Sequence, residues 1–289
     1  MLLIYIALPI VRNHEMTANS QAKTSNARLV AAAASCAALY AIVNIITSPI
    51  RAPWGVGEFR PGVVIPAFYA VVFGPIPAGI GAGFGSFIGD MISLVSTGGS
   101  NPTLAIVAGA PANFIGFLVL GWVFQKMKNW KGFIVGTTSG LFLGNLWAAA
   151  GVVLLLGLPN IFILGYLLFW FGTMFPFVVI LVPAIVRLMR PYASKLSSGS
   201  QYPIIAEPQK KVLWVWTIIV SLLVLASLGV FLAFQSDLAA SNFGSPFWID
   251  ILLIVSAISV LIVGAFIPSV GVNKSMEMHP AEAASSAPP

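Results

Sequence analysis

Charge is what this chain has least of. Only 8% of its 289 residues are Asp, Glu, Lys or Arg, against about 25% in an average soluble domain. So few charges cannot cover a water-facing surface, which excludes a soluble enzyme or a nucleic-acid binder as the default. Cysteine occurs once, as Cys36, so no intramolecular disulfide can form. With His14 and His279 as the only histidines, the chain lacks the ligands of an ordinary zinc site. No metal and no cofactor is expected. There is no Walker-type phosphate loop, no His-Glu-x-x-His and no Ser–His pair at a shared depth. Catalytic residues are therefore not expected, and the chain is read as not an enzyme.

What is present is apolar. Hydrophobic residues make up 58% of the chain, with 27 Gly and 20 Pro, both better tolerated in membrane helices than in soluble ones. A crossing of about 30 Å of hydrocarbon takes about 20 apolar residues. Eight crossings are expected, at 29–49, 62–73, 75–96, 104–124, 133–157, 161–186, 212–234 and 247–267. The second is short, and Gly74-Pro75-Ile76-Pro77 after it must be a tight turn or break. The first ten residues are apolar but too few to span. No cleavage site follows them, and Met1 and Met16 stand as two readings of the start.

The basic residues test this count. With the N-terminus inside, eight crossings leave twelve Lys and Arg on the inner side and only Arg51 and Arg60 outside. That bias follows the positive-inside rule, and merging the second and third crossings would destroy it. The expected fold class is an all-α integral membrane protein of the cell membrane, multi-pass, with both termini inside. Its parts are an N-terminal cytoplasmic segment (1–28), a six-helix core (29–192), a polar linker (193–211), a two-helix hairpin (212–268) and a disordered tail (269–289).

Polar side chains inside lipid mark function by default. Asp90 lies about 22 Å from the Pro75 turn, Asn113 about 13 Å below the outer end of its helix and Asn145 about 18 Å from the inside. Tyr166 and Trp170 lie about 8 and 13 Å from the outer side. With Arg60 and Trp147 they form the candidate substrate-binding set. Above them sits a long outer loop whose Arg51, Trp54 and Glu58 are candidate gating residues. The pattern suits an outward pocket in which aromatic faces stack on a flat ring and polar groups fix its edges. The same residues also allow a plainer account, with aromatics as interfacial anchors and asparagines as helix glue. Asp90 either pairs with Arg60 structurally or joins it in contacting a ligand.

Small residues recur every four positions at Ala33, Ala37 and Ala41 and again at Gly81, Gly85 and Gly89. Such faces let helices approach closely. The glycine set is expected inside the bundle. The alanine set could pack there or face another membrane protein.

Arg60-Pro61-Gly62-Val63-Val64-Ile65-Pro66, then Phe73-Gly74-Pro75, then Gly79-x-Gly81-x-Gly83-x-Gly85-x3-Gly89-Asp90 resembles the S component of energy-coupling factor transporters, the substrate-capturing subunit of a vitamin importer. The resemblance covers about 29–192. It implies a six-helix protein that binds a water-soluble vitamin or precursor from outside. It also implies partners on separate chains, a membrane coupling (T) subunit and two cytosolic ATPase subunits. Ala33, Ala37 and Ala41 would then match the family's docking surface for the coupling subunit, and 51–60 its gating loop. The hairpin at 212–268 departs from the six-helix pattern. Two other functions fit the same residues: a self-sufficient transporter of a small heterocycle, proton-coupled through Asp90, and an assembly or scaffold protein without a ligand. The expected contacts in every case are the lipid bilayer and, for the first two, a small molecule, with no nucleic acid.

Overall fold

A computed structural model describes residues 26–52, 57–97 and 101–196, together with helical positions between 215 and 229. Apart from short turns and the described residues of the loop at 48–60, the described chain is helical, and its only strand-like pairing is an isolated antiparallel bridge between Arg51 and Glu58. Among the described residues five helices are long and apolar enough to cross a membrane: α1 (Asn26–Thr47), α3 (Pro75–Val95, continuing to Thr97), α4 (Pro102–Met127), α5 (Trp130–Leu156) and α6 (Phe162–Met189, continuing to Leu196). This is a multi-pass all-α membrane protein.

The expected second crossing is a shorter helix. A 3-10 turn at Pro61–Val63 leads into α2 (Val64–Val72). Together they rise about 18 Å, well short of the hydrocarbon thickness. Pro61 suits this start because its ring presets a helical φ and its missing N–H would have had no partner there. The chain then breaks as the Gly-Pro dipeptide requires. Gly74 takes φ +97°, a left-handed conformation that favours glycine, and Pro75 opens α3 with no N–H to continue the old helix. Residues 62–96 are thus two helices. Of the expected hairpin, an apolar helix at Thr217–Gly229 is described in part. Val224 and Leu228 are buried, and a Cβ at Gly172 would sit 2.9 Å from Val224, so this helix packs on α6. The expected crossing at 247–267, the linker beyond 196 and both terminal segments lie outside the described residues.

Helix ends follow local chemistry. Asn101 accepts from Thr103 N–H at the start of α4 (2.8 Å) and Asn129 from Gly132 N–H at the start of α5 (2.7 Å), each satisfying a donor that the first turn leaves free. Lys128 and Gly157 close α4 and α5 in left-handed geometry.

Small residues set the helix spacings. The glycine line of α3 meets the alanine line of α1: a Cβ on Gly81 would lie 2.9 Å from the Ala33 carbonyl, and one on Gly85 2.7 Å from that of Ala37. The closest pairing joins α4 and α5. There a Cβ on Gly136 would fall 2.8 Å from the Leu120 carbonyl and one on Gly144 2.8 Å from that of Ala112. Van der Waals contact at this range is what holds helices together in lipid, where no hydrophobic force separates helix from solvent.

Candidate functional site

The polar residues of the middle helices converge on one cavity of about 90 Å³. Glu58 and Arg60 of the α1–α2 loop, Asp90 of α3, Asn113 of α4, Asn145 of α5 and Trp170 of α6 all line it. Much of the remaining wall is small: Ala108, Gly109, Ala112, Gly116, Gly140 and Gly144. The close α4–α5 packing therefore also leaves the space.

The loop does not merely sit over the helices, as the sequence suggested. It sinks between them. Phe59 N–H donates to the Ile50 carbonyl (2.8 Å) and Ala52 N–H to that of Gly57 (2.9 Å), which folds the loop back on itself. Its returning arm is seated on α6, where Trp170 Nε1 donates to the Glu58 carbonyl (3.1 Å). Gly57, at φ +86°, lies so close that a Cβ there would fall 2.9 Å from the indole ring. Two turns further along the same helix Phe59 meets Phe177 edge to face, at 5.6 Å between centroids. Glu58 ends only 4% exposed.

Arg60 organises the charge. Nη2 donates to Asp90 Oδ1 at 2.5 Å and lies 3.7 Å from Glu58 Oε2, while Nη1 donates to Ser86 Oγ at 2.9 Å. Asn113 extends the network: Nδ2 reaches Ser86 Oγ (3.1 Å) and the Gly109 carbonyl (2.8 Å), and its Oδ1 accepts from Tyr40 OH (2.7 Å). The structural pairing of Asp90 with Arg60 is therefore present, inside the cavity wall. Two acids face one base, and burial pushes the Glu58 carboxyl above its ordinary range despite the neighbouring Arg60. Glu58 Oε1 and Asn145 Nδ2 are buried with no hydrogen-bond partner.

One turn of α4 is irregular at this point. Ala105–Gly109 is a π turn, a feature frequent at functional sites. Its last residue gives Asp90 room, since a Cβ on Gly109 would lie 2.9 Å from Asp90 Oδ2. The carbonyl of Val107 in the same turn accepts from Trp147 Nε1 (3.0 Å).

Three expected residues stand elsewhere. Trp147 is 49% exposed and does not line the cavity; its indole grips the outside of the π turn. Tyr166 is fully buried behind Trp170, with ring centroids 5.0 Å apart and planes at 31°, and is also absent from the lining. Trp54 lies outside the described residues. Of the other gating candidates, Arg51 is exposed beside its bridge to Glu58, and Glu58 belongs to the cavity wall. The alanine stripe is largely internal: Ala37 and Ala41 are buried against α3, so of the two arrangements that the spacing allows these positions take part in packing inside the bundle. Ala33 is half-buried and, with Ala37, reaches the floor of a shallow apolar groove rimmed by Val30, Ile76, Ile80 and Phe84.

Tyr40, Ser86 and Gly109 are additions that sequence reasoning missed. Ser86 had a signal, lying four residues before Asp90 and so on the same helix face. Among the described residues no group of His, Cys, Asp and Glu could hold a metal ion. Comparison of the chain with protein-family models, curated proteins and solved structures gives no match.

Proposed function

We propose that this protein is the substrate-capturing subunit of an energy-coupling factor type importer, a membrane protein that binds a vitamin or vitamin precursor and delivers it with the help of partner chains. The observation that carries the reading is the cavity itself: charged and amide side chains from four separate segments meet inside a membrane bundle, beside a loop fastened to Trp170. Such a concave, largely apolar site with a few convergent polar groups is the usual form of a small-molecule pocket. At about 90 Å³ it is smaller than the cavity of about 150 Å³ that admits benzene. In this reading the cavity widens to admit a vitamin, by movement of the wall that Glu58 and Arg60 contribute.

In this reading eight spans, the loop face outward and both termini in the cytoplasm follow the distribution of basic residues. The coupling subunit would lie against the groove rimmed by Val30, Ile80 and Phe84, and ATP hydrolysis would occur on separate chains. A proton-coupled carrier using Asp90 is disfavoured because Arg60 already supplies that carboxylate with a counter-ion at 2.5 Å. A scaffold role leaves the buried polar cavity without a use.

The test is mass spectrometry of small molecules carried through purification of the full chain in detergent. A stoichiometric compound that is lost in Asn145→Ala establishes capture and names the ligand. An empty preparation that no vitamin stabilises against heat would sink the reading.

A further inference from the structure

Glu58 is the excess charge of the cavity. Asp90 and Arg60 neutralise each other at 2.5 Å, and Arg60 has its two terminal nitrogens committed to Asp90 and Ser86. The Glu58 side chain meets this pair only through Oε2, at 3.7 Å, and Oε1 is buried with no partner. A buried acceptor left bare costs free energy until a donor arrives, the more so when it is charged. On α5 the situation is the opposite: Asn145 Nδ2 is a buried donor with no partner. Both side chains line the same space, and the other α5 residues of the wall, Gly140, Leu141, Gly144, Ala148 and Val152, offer a ligand no charge.

We infer that this cavity takes a small organic cation, a protonated amine or amidine on a compact ring, with Glu58 as its counter-ion and Asn145 donating to an acceptor on the ligand. The inference rests on the capture reading above and narrows its substrate class. An anion fits poorly for two reasons. It would face the Glu58 carboxylate, whose Oε1 has no hydrogen-bond partner, and it could reach Arg60 only by displacing Asp90 or Ser86. A cation makes the missing contact and breaks none.

The experiment uses three probes of one shape, benzamidinium, benzamide and benzoate, which carry the same ring and a forked head of charge plus one, zero and minus one. Binding to the purified full chain is measured by titration calorimetry at neutral pH. Benzamidinium is expected to bind about tenfold or more tighter than benzamide, a difference of about 1.4 kcal/mol, with no binding of benzoate. Glu58→Gln should remove that preference, and Asn145→Asp, which keeps the shape and adds negative charge, should raise benzamidinium affinity even where Glu58→Gln proves unstable. Equal or tighter binding of benzoate, or a benzamidinium affinity that neither substitution moves, overturns the inference. If none of the three binds, the compound recovered by mass spectrometry decides: a cation supports the inference, and an anion overturns it while leaving capture intact. No binding together with an empty preparation overturns both.

Discussion

The indole N–H of Trp170 donates to the main-chain carbonyl of Glu58 across 3.1 Å, joining two residues 112 positions apart in sequence. One side chain of α6 thereby fixes the residue of the loop that carries the free carboxylate oxygen. Replacing Trp170 by Phe keeps an aromatic ring and deletes the donor. A hydrogen bond of this kind contributes about 0.5–1.5 kcal/mol net, so amide exchange at Ala52 and Phe59 should quicken by about two- to tenfold. Unchanged exchange at those two amides would show that the loop is held by other contacts.

Arg60 and Asp90 form a pair that tolerates joint removal better than single removal. Taking away one partner leaves a buried charge alone and costs about 3–5 kcal/mol. Arg60→Met should therefore lower the melting temperature of the protein in nanodiscs sharply, and Arg60→Met with Asp90→Asn should recover much of the loss. A double variant as unstable as the single one would mean that the damage is to packing.

The raised Glu58 carboxyl has a pH signature. The folded protein holds this proton at pH values where the unfolded chain, with an ordinary value of 4.5, has released it. The folded state then binds more protons, so Glu58 lowers stability as pH climbs from 4.5 through the raised value. Burial drives the shift, Asp90 adds to it, and Arg60 and Arg51 oppose it. Melting curves of the wild type and Glu58→Gln should diverge across that window, with the variant gaining relative stability at the upper end. Parallel curves would contradict the burial of this carboxylate.

A large residue on α1 separates packing from docking. Ala37 is buried against Gly85, whereas Ala34 is exposed beside the groove. Ala37→Trp should destabilise the isolated protein, since overpacking costs about 1–3 kcal/mol or more. Ala34→Trp should leave its melting and ligand affinity unchanged while abolishing uptake by cells that supply the partner chains. Normal uptake with Ala34→Trp would place the coupling surface elsewhere.

Much of the fold is legible in the sequence because its signals are one-dimensional. Run length marks the long helices, and Gly74-Pro75 marks the break between α2 and α3. Small-residue spacing marks the α1–α3 contact. The same four-residue rule also held for Gly136, Gly140 and Gly144, whose contact with α4 shapes the cavity, yet these glycines were not singled out. For the site, depth along a helix correctly grouped Asp90, Asn113, Asn145 and Trp170. Depth carries no information about azimuth, however. Trp147 lies two residues from Asn145, about 200° around the helix, and so faces away from the cavity that Asn145 lines. Tyr166 shares a face with Trp170 but sits one turn behind it. The immersion of the loop was hidden for a related reason, since nothing in the order of Gly57, Glu58 and Phe59 says that they will lie against Trp170 and Phe177 of α6.

The π turn at Ala105–Gly109 amounts to one extra residue wound into a helix. Every position N-terminal to it is consequently rotated by about 100° relative to an uninterrupted α4. Excising a single residue from this stretch would shorten the chain by one link and re-aim the first turn of α4, Pro102–Leu104, with its cap Asn101. The Val107 carbonyl would be drawn back into the helix and away from Trp147, and the backbone beside Asp90 would close. A length change of one, silent in hydropathy and composition, would erase the site while sparing the span.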